Sequence, residues 1–257
     1  AFTGIDHVGL EACREKNIDV LNCAGYSNQS VAELSIGMAI SVMRKILEGD
    51  FAVRNGRNSV GLVGTEICGR TVGIIGCGQI GFKTAKLFKA FGADVLAYSR
   101  HEREEWKEAG IRFADMDTLL RESDIVSLHL PLNETTKGFF DGDKINKMKE
   151  DAILINCARG PIVDNAALAK ALNEGKIAGA AIDVLIWSRR YPRIIHCAVQ
   201  RISFLHPMLP LLQKKRWYAE LKSSLIMSMR IYRENRRMYA DYNPAVWKGI
   251  TSKLRRN

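Results

Sequence analysis

A glycine-rich turn lies between a short apolar segment and an amphipathic segment near residue 76. The residues read Val72-Gly73-Ile74-Ile75-Gly76-Cys77-Gly78-Gln79-Ile80-Gly81, which is the pattern G-x-G-x-x-G between a predicted strand and a predicted helix. The first glycine of this pattern permits the tight turn, the second lets a pyrophosphate approach the backbone, and the third allows close helix–strand packing. Helix amides favour an anion at the same point. The spacing therefore predicts a dinucleotide site formed by Gly76, Gly78, Gln79, Ile80 and Gly81.

Apolar segments alternate with amphipathic segments between residues 70 and 184. The apolar segments predict five strands, at 71–75, 94–98, 124–128, 152–156 and 177–184. The amphipathic segments predict helices at about 80–91, 103–109, 117–121, 144–148 and 165–173. Nearly all-apolar strands separated by helices are typical of a parallel sheet that is covered on both faces. We therefore predict an α/β fold, a doubly wound parallel sheet of the Rossmann type.

The first 64 residues carry more varied signals. They predict a short helix at 10–16 and an apolar strand at 18–23. Ser30 and Glu33 have the spacing of a capping box, which predicts a helix from residue 30 to about Leu47, ended by Gly49-Asp50. The glycine- and asparagine-rich residues 54–64 predict a loop.

The end of the second predicted strand distinguishes between two dinucleotides. An acidic side chain there would bind the ribose 2′-hydroxyl of NAD, whereas an arginine accommodates the 2′-phosphate of NADP. The chain has Ser99 and Arg100 at this position, which favours NADP. Glu102 follows closely, so NAD remains the alternative.

Six cysteines show neither paired metal-ligand spacing nor a disulfide framework. This use of cysteine fits a reduced, cytoplasmic protein without a metal site. No apolar run is long enough to span a bilayer, and no signal-peptide pattern opens the chain, so we expect no membrane partner.

The net charge of +10 is distributed unevenly. Residues 1–184 contain 22 Lys/Arg and 25 Asp/Glu, whereas residues 185–257 contain 16 and 3, respectively. Of the 21 glycines, only Gly249 lies in the second part. Basic runs such as Lys214-Lys215-Arg216 would suit a fusion that binds nucleic acid through this tail, the least favoured of three readings, and we expect no nucleic-acid partner.

A series of segments resembles the D-isomer-specific 2-hydroxyacid dehydrogenases, in particular the glyoxylate/hydroxypyruvate reductases and phosphoglycerate dehydrogenases. In family order they are Thr3 to Val8, Asn28 to Glu33, Gly76 to Gly81, His129 to Thr136, Asn156 to Gly160 and Ala181 to Val184. The resemblance implies NAD(P)-linked reduction of a small 2-oxo acid to a D-2-hydroxy acid, and a homodimer in the intact family member. It also implies that residues 28–184 form the dinucleotide-binding domain and that residues 1–27 are a remnant of a flavodoxin-like substrate domain, truncated at its N-terminus.

The resemblance assigns cofactor contacts residue by residue. Leu130 and Pro131 match the adenosine pocket of the family. Cys157 and Ala158 match the residues beside the nicotinamide, and Asp183 matches the acid near its carboxamide.

The resemblance also assigns substrate contacts. Thr3 and Gly4 match the loop whose backbone amides hold the substrate carboxylate. Arg159 matches the catalytic arginine that binds the substrate's carboxylate and carbonyl oxygen. The residue type is suitable, because a guanidinium after a parallel strand offers a planar fork to a carboxylate where such folds bind ligands.

The acid–base pair of the family, a histidine held by a glutamate, has no match in the printed sequence. The glutamate should follow Asp183-Val184, where the chain continues with Leu185-Ile186-Trp187-Ser188, and His206 precedes its proline instead of following one. One base inserted after codon 184 would permit the translation V-F-D-M-E-P-P-I, with the glutamate across Trp187/Ser188. The same shift would restore a Pro-His pair whose histidine falls across Pro207/Met208. The sequence therefore predicts that residues 185–257 are an out-of-frame, poorly structured basic tail. A non-catalytic dinucleotide-binding module, like the corepressor relatives of the family, is the alternative function.

Overall fold

The computed structural model describes residues 4–5, 8–58 and 60–184, together with the backbone of residues 202–205. Seven strands form one sheet: β1 (Thr71–Ile75), β2 (Asp94–Tyr98), β3 (Arg112–Phe113), β4 (Ile125–Leu128), β5 (Ile153–Asn156), β6 (Gly179–Ile182) and β7 (Ile202–Leu205). Their order is β3-β2-β1-β4-β5-β6-β7, and every neighbouring pair is parallel. The strand order changes direction between β1 and β4, where sheets of this kind bind ligands outside the carboxyl ends of the strands.

The helices of the described residues are α1 (Leu10–Glu15), α2 (Asn28–Met43), α3 (Ile46–Arg54), α4 (Gln79–Ala90), α5 (Glu104–Glu108), α6 (Met116–Glu122), α7 (Gly142–Lys147) and α8 (Asn165–Glu174), with a 3₁₀ turn at Gly160–Ile162. Side chains of α2, α4 and α5 share one apolar cluster with the sheet, and side chains of α6, α7 and α8 share the other. The sheet is therefore covered on both faces, as predicted.

β1 shows how the two cores follow from the alternation of side chains along a strand. Val72 and Ile74 are fully buried in the first cluster, and Ile75 is fully buried in the second. Burial of each such side chain stabilises the fold by roughly 1.5–3 kcal/mol. Gly73 faces α6, where a Cβ atom would lie 2.5 Å from Cδ2 of Leu119 and from Oγ of Ser123. Only glycine lets α6 pack this closely on the strand.

The sequence predictions for residues 70–184 are confirmed for all five strands and all five helices, with ends that differ by three residues or fewer. The short edge strand β3 is not predicted, because two residues show no usable alternation. The backbone strand β7, paired with β6, is also not predicted, and it lies within the segment expected to be poorly structured. The other predictions for residues 185–257 lie outside the described residues.

The predicted strand at residues 18–23 is wrong, because these residues form no strand in the described structure. Ile18 and Leu21 are 55% and 63% exposed. The amide of Ile18 donates to the carbonyl of Cys13 at 2.8 Å, which closes α1 and does not start a sheet. An apolar pattern does not make a strand without a neighbouring strand to satisfy its backbone.

The predicted capping box and the predicted helix end are also wrong. The helix α2 begins at Asn28, the Ser30 hydroxyl donates to the carbonyl of Ser27 at 3.1 Å, and Glu33 accepts a bond from Gln29 at 2.8 Å. The helix ends at Met43, and α3 begins after Lys45, whose φ is +51°. Gly49-Asp50 lies inside α3, where the Asp50 carboxylate pairs with Arg54 one turn later at 2.8 Å.

Within the described ranges, none of the helices combines the length and apolar character of a membrane span. The same residues contain no cluster of three or more histidine, cysteine, aspartate or glutamate side chains suited to a metal ion.

Candidate functional site

The predicted cofactor residues all lie just beyond the carboxyl ends of parallel strands. These residues are Gly76 to Gly81 after β1, Ser99 and Arg100 after β2, Leu130 and Pro131 after β4, Cys157 to Arg159 after β5, and Asp183 after β6. Parallel strands end at one edge of a sheet, so the fold brings them together. Thr3 lies outside the described residues. Gly4 is described, but no described contact joins it to this edge.

The first glycine of the turn sits against the end of β4. Gly76 has a φ of +109°, and its amide donates to the carbonyl of Tyr98 at 3.0 Å. A Cβ atom at this position would lie 2.6 Å from the carbonyl oxygen of His129 and 3.1 Å from the amide nitrogen of Leu130. Both the backbone conformation and the space therefore require glycine.

The other two glycines differ from each other in what surrounds them. A Cβ atom on Gly81 would collide with the carbonyl oxygen of Gly76, so the helix could not approach the turn. A Cβ atom on Gly78 would meet no heavy atom within 4 Å. The space beside Gly78 is open, as the approach of a pyrophosphate requires.

The start of α4 supplies hydrogen-bond donors to that open space. Gly78 is the N-cap, and the first helical bond runs from the amide of Phe82 to the carbonyl of Gly78 at 2.9 Å. The amides of Gln79, Ile80 and Gly81 precede the first bond of the helix and have no acceptor within it. With the helix dipole, these amides attract a phosphate.

The end of β2 lies beside the glycine turn. The thiol of Cys77 donates to the carbonyl of Tyr98 at 3.7 Å. Burial raises the pKa of this thiol to about 11, against the smaller opposing effects of the Ser99 hydroxyl and the Arg103 guanidinium. Cys77 is therefore neutral, and Ser99 adjoins the turn that would hold the pyrophosphate.

The charged side chains that follow β2 differ in their exposure and in their ion-pair partners. Arg100 is exposed, one residue beyond Ser99. The carboxylate of Glu102 forms an exposed ion pair with the ammonium of Lys107 at 2.9 Å, so a cation already competes with any ribose hydroxyl for this acid.

The end of β4 forms an uncharged wall. The amide of His129 donates to the carbonyl of Ile75 at 2.8 Å, and its Nε2 lies 2.9 Å from the hydroxyl oxygen of Ser127. Burial lowers the pKa of this histidine to about 4, so the ring is neutral at physiological pH. The sequence reasoning assigned His129 no role, because nothing in the motif indicates that its backbone packs on Gly76.

The loop that carries Leu130 and Pro131 is held by its own polar side chains. The hydroxyl of Thr136 donates to the carbonyl of Pro131 at 2.6 Å and accepts from the amide of Asn133 at 2.9 Å. Leu130 is half-buried and Pro131 is exposed, so both can form part of an apolar pocket wall.

The end of β5 combines an inert thiol with a positioned arginine. Cys157 is buried, and its sulfur lies 3.4 Å from that of Met38 on α2. Burial raises the pKa of the thiol to about 12, so Cys157 provides apolar surface and not a nucleophile. The guanidinium of Arg159 donates to the carbonyl of Ala158 at 2.8 Å and is half-buried.

Asp183 lies next to this segment at the end of β6. It is 7% exposed, and its amide donates to the carbonyl of Asn156 at 3.0 Å. Its carboxylate is close enough to contribute to the raised pKa of the Cys157 thiol. The structure therefore places Cys157 and Asp183, two residues predicted to contact the nicotinamide, side by side. Sequence reasoning missed Ser35 and Met38, which approach from α2 and carry no motif.

The strand order, the glycine turn and the open amides together define a dinucleotide-binding domain. Residues 36–193 match the family model described as D-isomer specific 2-hydroxyacid dehydrogenase, NAD binding domain. The chain belongs to this family.

Individual relatives support the same assignment. The chain is 41% identical over 188 residues to a glyoxylate reductase from Thermofilum pendens, covering 70% of this chain and 56% of that protein. It is 38% identical over 185 residues to a hydroxypyruvate reductase from Thermotoga maritima, covering 72% of this chain and 60% of that protein. The structure is similar to a D-lactate dehydrogenase from Aquifex aeolicus complexed with NAD and lactic acid, with a TM-score of 0.81, 27% identity and coverage of 93% of this chain and 77% of that one. The chain thus spans less than two thirds of the two curated relatives named here.

The glycine contacts generate a prediction that separates binding from folding. We expect Gly78→Ala to leave the unfolding temperature unchanged but to weaken NAD binding at least tenfold, because the added methyl meets no protein atom and occupies the pyrophosphate approach. Gly81→Ala should lower the unfolding temperature, because its methyl collides with the backbone of Gly76. Calorimetric unfolding and NAD titration of both variants measure the two effects. Unchanged NAD affinity in the folded Gly78→Ala variant would contradict the assignment.

Proposed function

We propose that this protein catalyses the nicotinamide-linked interconversion of a small 2-oxo acid and the corresponding D-2-hydroxy acid. The observation that carries the proposal is the common edge on which the glycine turn, Asp183 and Arg159 lie. A dinucleotide that runs from the turn across the ends of β4 and β5 brings its nicotinamide to Cys157 and Asp183. Arg159 follows Cys157 by two residues, so its guanidinium would lie near the nicotinamide as a substrate anchor.

The dinucleotide, when bound, supplies or accepts the hydride. The amides of Gln79 to Gly81 would hold its pyrophosphate, and Leu130 and Pro131 would contact the adenosine. Cys157 and Ala158 would line one side of the nicotinamide and exclude water from it, since neither carries a charge. Asp183 would bind the carboxamide and so fix which face of the ring meets the substrate.

The guanidinium of Arg159 would bind the substrate's carboxylate and polarise its carbonyl oxygen. Such charge-assisted bonds are roughly twice as strong as neutral ones and orient a planar carboxylate. The amides of Thr3 and Gly4 would hold the same carboxylate from the other side. Reduction also needs a proton for the carbonyl oxygen, and the histidine–glutamate pair that provides it in the family is expected after residue 184, outside the described residues.

The domain organisation is part of the proposal. Residues 28–184 would form the dinucleotide-binding domain, and residues 1–27 would belong to a substrate-binding domain. The family match over residues 36–193 supports a dinucleotide-binding domain over most of this range and extends nine residues beyond residue 184. A cytoplasmic location, where thiols stay reduced, is also part of the proposal.

A kinetic experiment tests the proposed activity. We expect the chain to oxidise NADPH slowly in the presence of glyoxylate or hydroxypyruvate, because the acid–base pair is not found where the family has it. Arg159→Gln should lower kcat/KM by roughly ten- to a hundredfold, the loss expected for one charge-assisted anchor. Arg121→Gln, which changes an exposed arginine on α6, serves as the matched control. Cofactor binding without any hydride transfer would favour the non-catalytic module, and turnover equal to that of an intact reductase would contradict the missing acid–base pair.

We further propose that NADP is preferred over NAD. A serine hydroxyl and a guanidinium both donate to a 2′-phosphate, and the Glu102 carboxylate that would repel it is paired with Lys107. Arg100→Ala should therefore weaken NADP binding by roughly ten- to a hundredfold and leave NAD binding unchanged. Arg112→Ala, at an exposed position on β3, is the control. Equal affinity for both cofactors before and after the change would show that Arg100 is a surface charge and that NAD is the cofactor.

The exposed apolar side chains near α3 support a homodimer. Phe51, Val53, Val60 and Val63 are 61%, 70%, 83% and 82% exposed. Where such side chains form one contiguous surface, they are typical of a protein–protein contact. A chain with Phe51→Glu and Val53→Glu should sediment as a monomer, whereas Phe91→Glu, at the end of α4, should not change the association state. A parent chain that sediments as a monomer at micromolar concentration would refute the dimer.

A further inference from the structure

The side chain of Asn156, the last residue of β5, holds the backbone of the segment that follows it. Its Oδ1 accepts a hydrogen bond from the amide of Ala158 at 3.0 Å. Its Nδ2 donates to the carbonyl of Arg159, also at 3.0 Å. The residue is 1% exposed, so water does not compete for these bonds.

The carbonyl of Arg159 is held from two sides. It accepts the bond from Asn156 and a second from the amide of Ile162 at 3.2 Å, which begins the 3₁₀ turn. The backbone of Arg159 is thus fixed at its junction with the sheet and at its junction with the turn. The direction in which its side chain leaves the backbone is set by these contacts.

The same residue connects the two sides of the candidate active site. The carbonyl of Asn156 accepts a hydrogen bond from the amide of Asp183 at 3.0 Å. The side chain of Asn156 binds the segment that ends at Arg159. Asn156 therefore lies between the proposed cofactor contact on β6 and the proposed substrate contact after β5.

We propose that Asn156 is the positioning residue that sets the location of Arg159 for binding the substrate carboxylate. The inference rests on the proposed function, because it assigns Asn156 a role through Arg159. This role requires both ends of the side-chain amide, the oxygen as an acceptor and the nitrogen as a donor. An aspartate keeps the acceptor but presents a carboxylate oxygen to the carbonyl of Arg159. Burial at this position disfavours the charged form and so raises the pKa of the introduced carboxyl.

The ionisable side chains near Asn156 follow the ends of the neighbouring strands. Cys157 and Arg159 lie after β5, Asp183 lies after β6, and His129 lies after β4. The thiol of Cys157, whose pKa is about 12, and the ring of His129, whose pKa is about 4, keep their neutral forms between pH 5.5 and 8. A carboxyl group introduced at residue 156 is the new ionisable group among them.

The test measures the binding of oxamate, a 2-oxo acid analogue, to the full chain saturated with NADPH. The binding of NADPH alone is measured separately. We expect Asn156→Ala and Asn156→Asp to raise the Kd of oxamate by roughly ten- to a hundredfold at pH 8, with the Kd of NADPH unchanged. At pH 5.5 the Asn156→Asp variant should recover relative to the parent measured at the same pH, because a protonated carboxyl can donate to the carbonyl of Arg159. Asn156→Ala should not recover.

Asn165→Ala is the matched control, because the Asn165 amide also donates to a backbone carbonyl, that of Val163 at 3.2 Å, but does not contact Arg159. One result would overturn this inference alone: Arg159→Gln abolishes oxamate binding, but the Asn156 variants leave it unchanged. Equal loss of oxamate and NADPH binding would show a merely structural role. A parent chain that binds NADPH but no oxamate would overturn the proposed function together with the inference.

Discussion

The structure of the site depends on one backbone contact, the approach of the glycine turn after β1 to the first residues after β4. Gly76 lies so close to the carbonyl of His129 that no side chain fits between the two segments. Gly81 in turn lies against the carbonyl of Gly76, which draws the start of α4 towards the sheet. Because both contacts exclude side chains, the amides of α4 point into open space at Gly78. A phosphate at this turn would therefore be bound by backbone amides, without a charged side chain.

The groups around this contact are neutral where a dinucleotide would lie. Cys77 and Cys157 have raised pKa values and His129 has a lowered one, in each case mainly because burial disfavours the charged form. The charged side chains lie away from the glycine turn, with Arg100 beyond β2, Arg159 beyond β5 and Asp183 beyond β6. This distribution suits a ligand whose anionic groups lie at defined points along an otherwise apolar surface. In the proposed function, Arg100 and Arg159 would hold a ribose phosphate and a substrate carboxylate at separate points of one sheet edge.

The sheet and the glycine turn could be predicted from the sequence because both follow from local patterns. The apolar strands are buried on both faces, and Gly76 and Gly81 occupy positions that no other residue fits. The N-terminal 50 residues could not be predicted as well. The apolar run at 18–23 has no strand beside it, and the helix break at Lys45 depends on a left-handed residue that no glycine or proline announces. The role of Asn156 was missed for a different reason, since it depends on hydrogen bonds to backbone atoms that no motif records.

Hydrogen exchange of individual amides tests the central claim most directly. The account predicts that adding NADPH slows exchange at the amides of Gln79, Ile80 and Gly81, which have no acceptor within α4. Exchange at α3, which lies outside the site, should not change. Protection that is absent at these three amides, or that is centred on α3, would contradict the account.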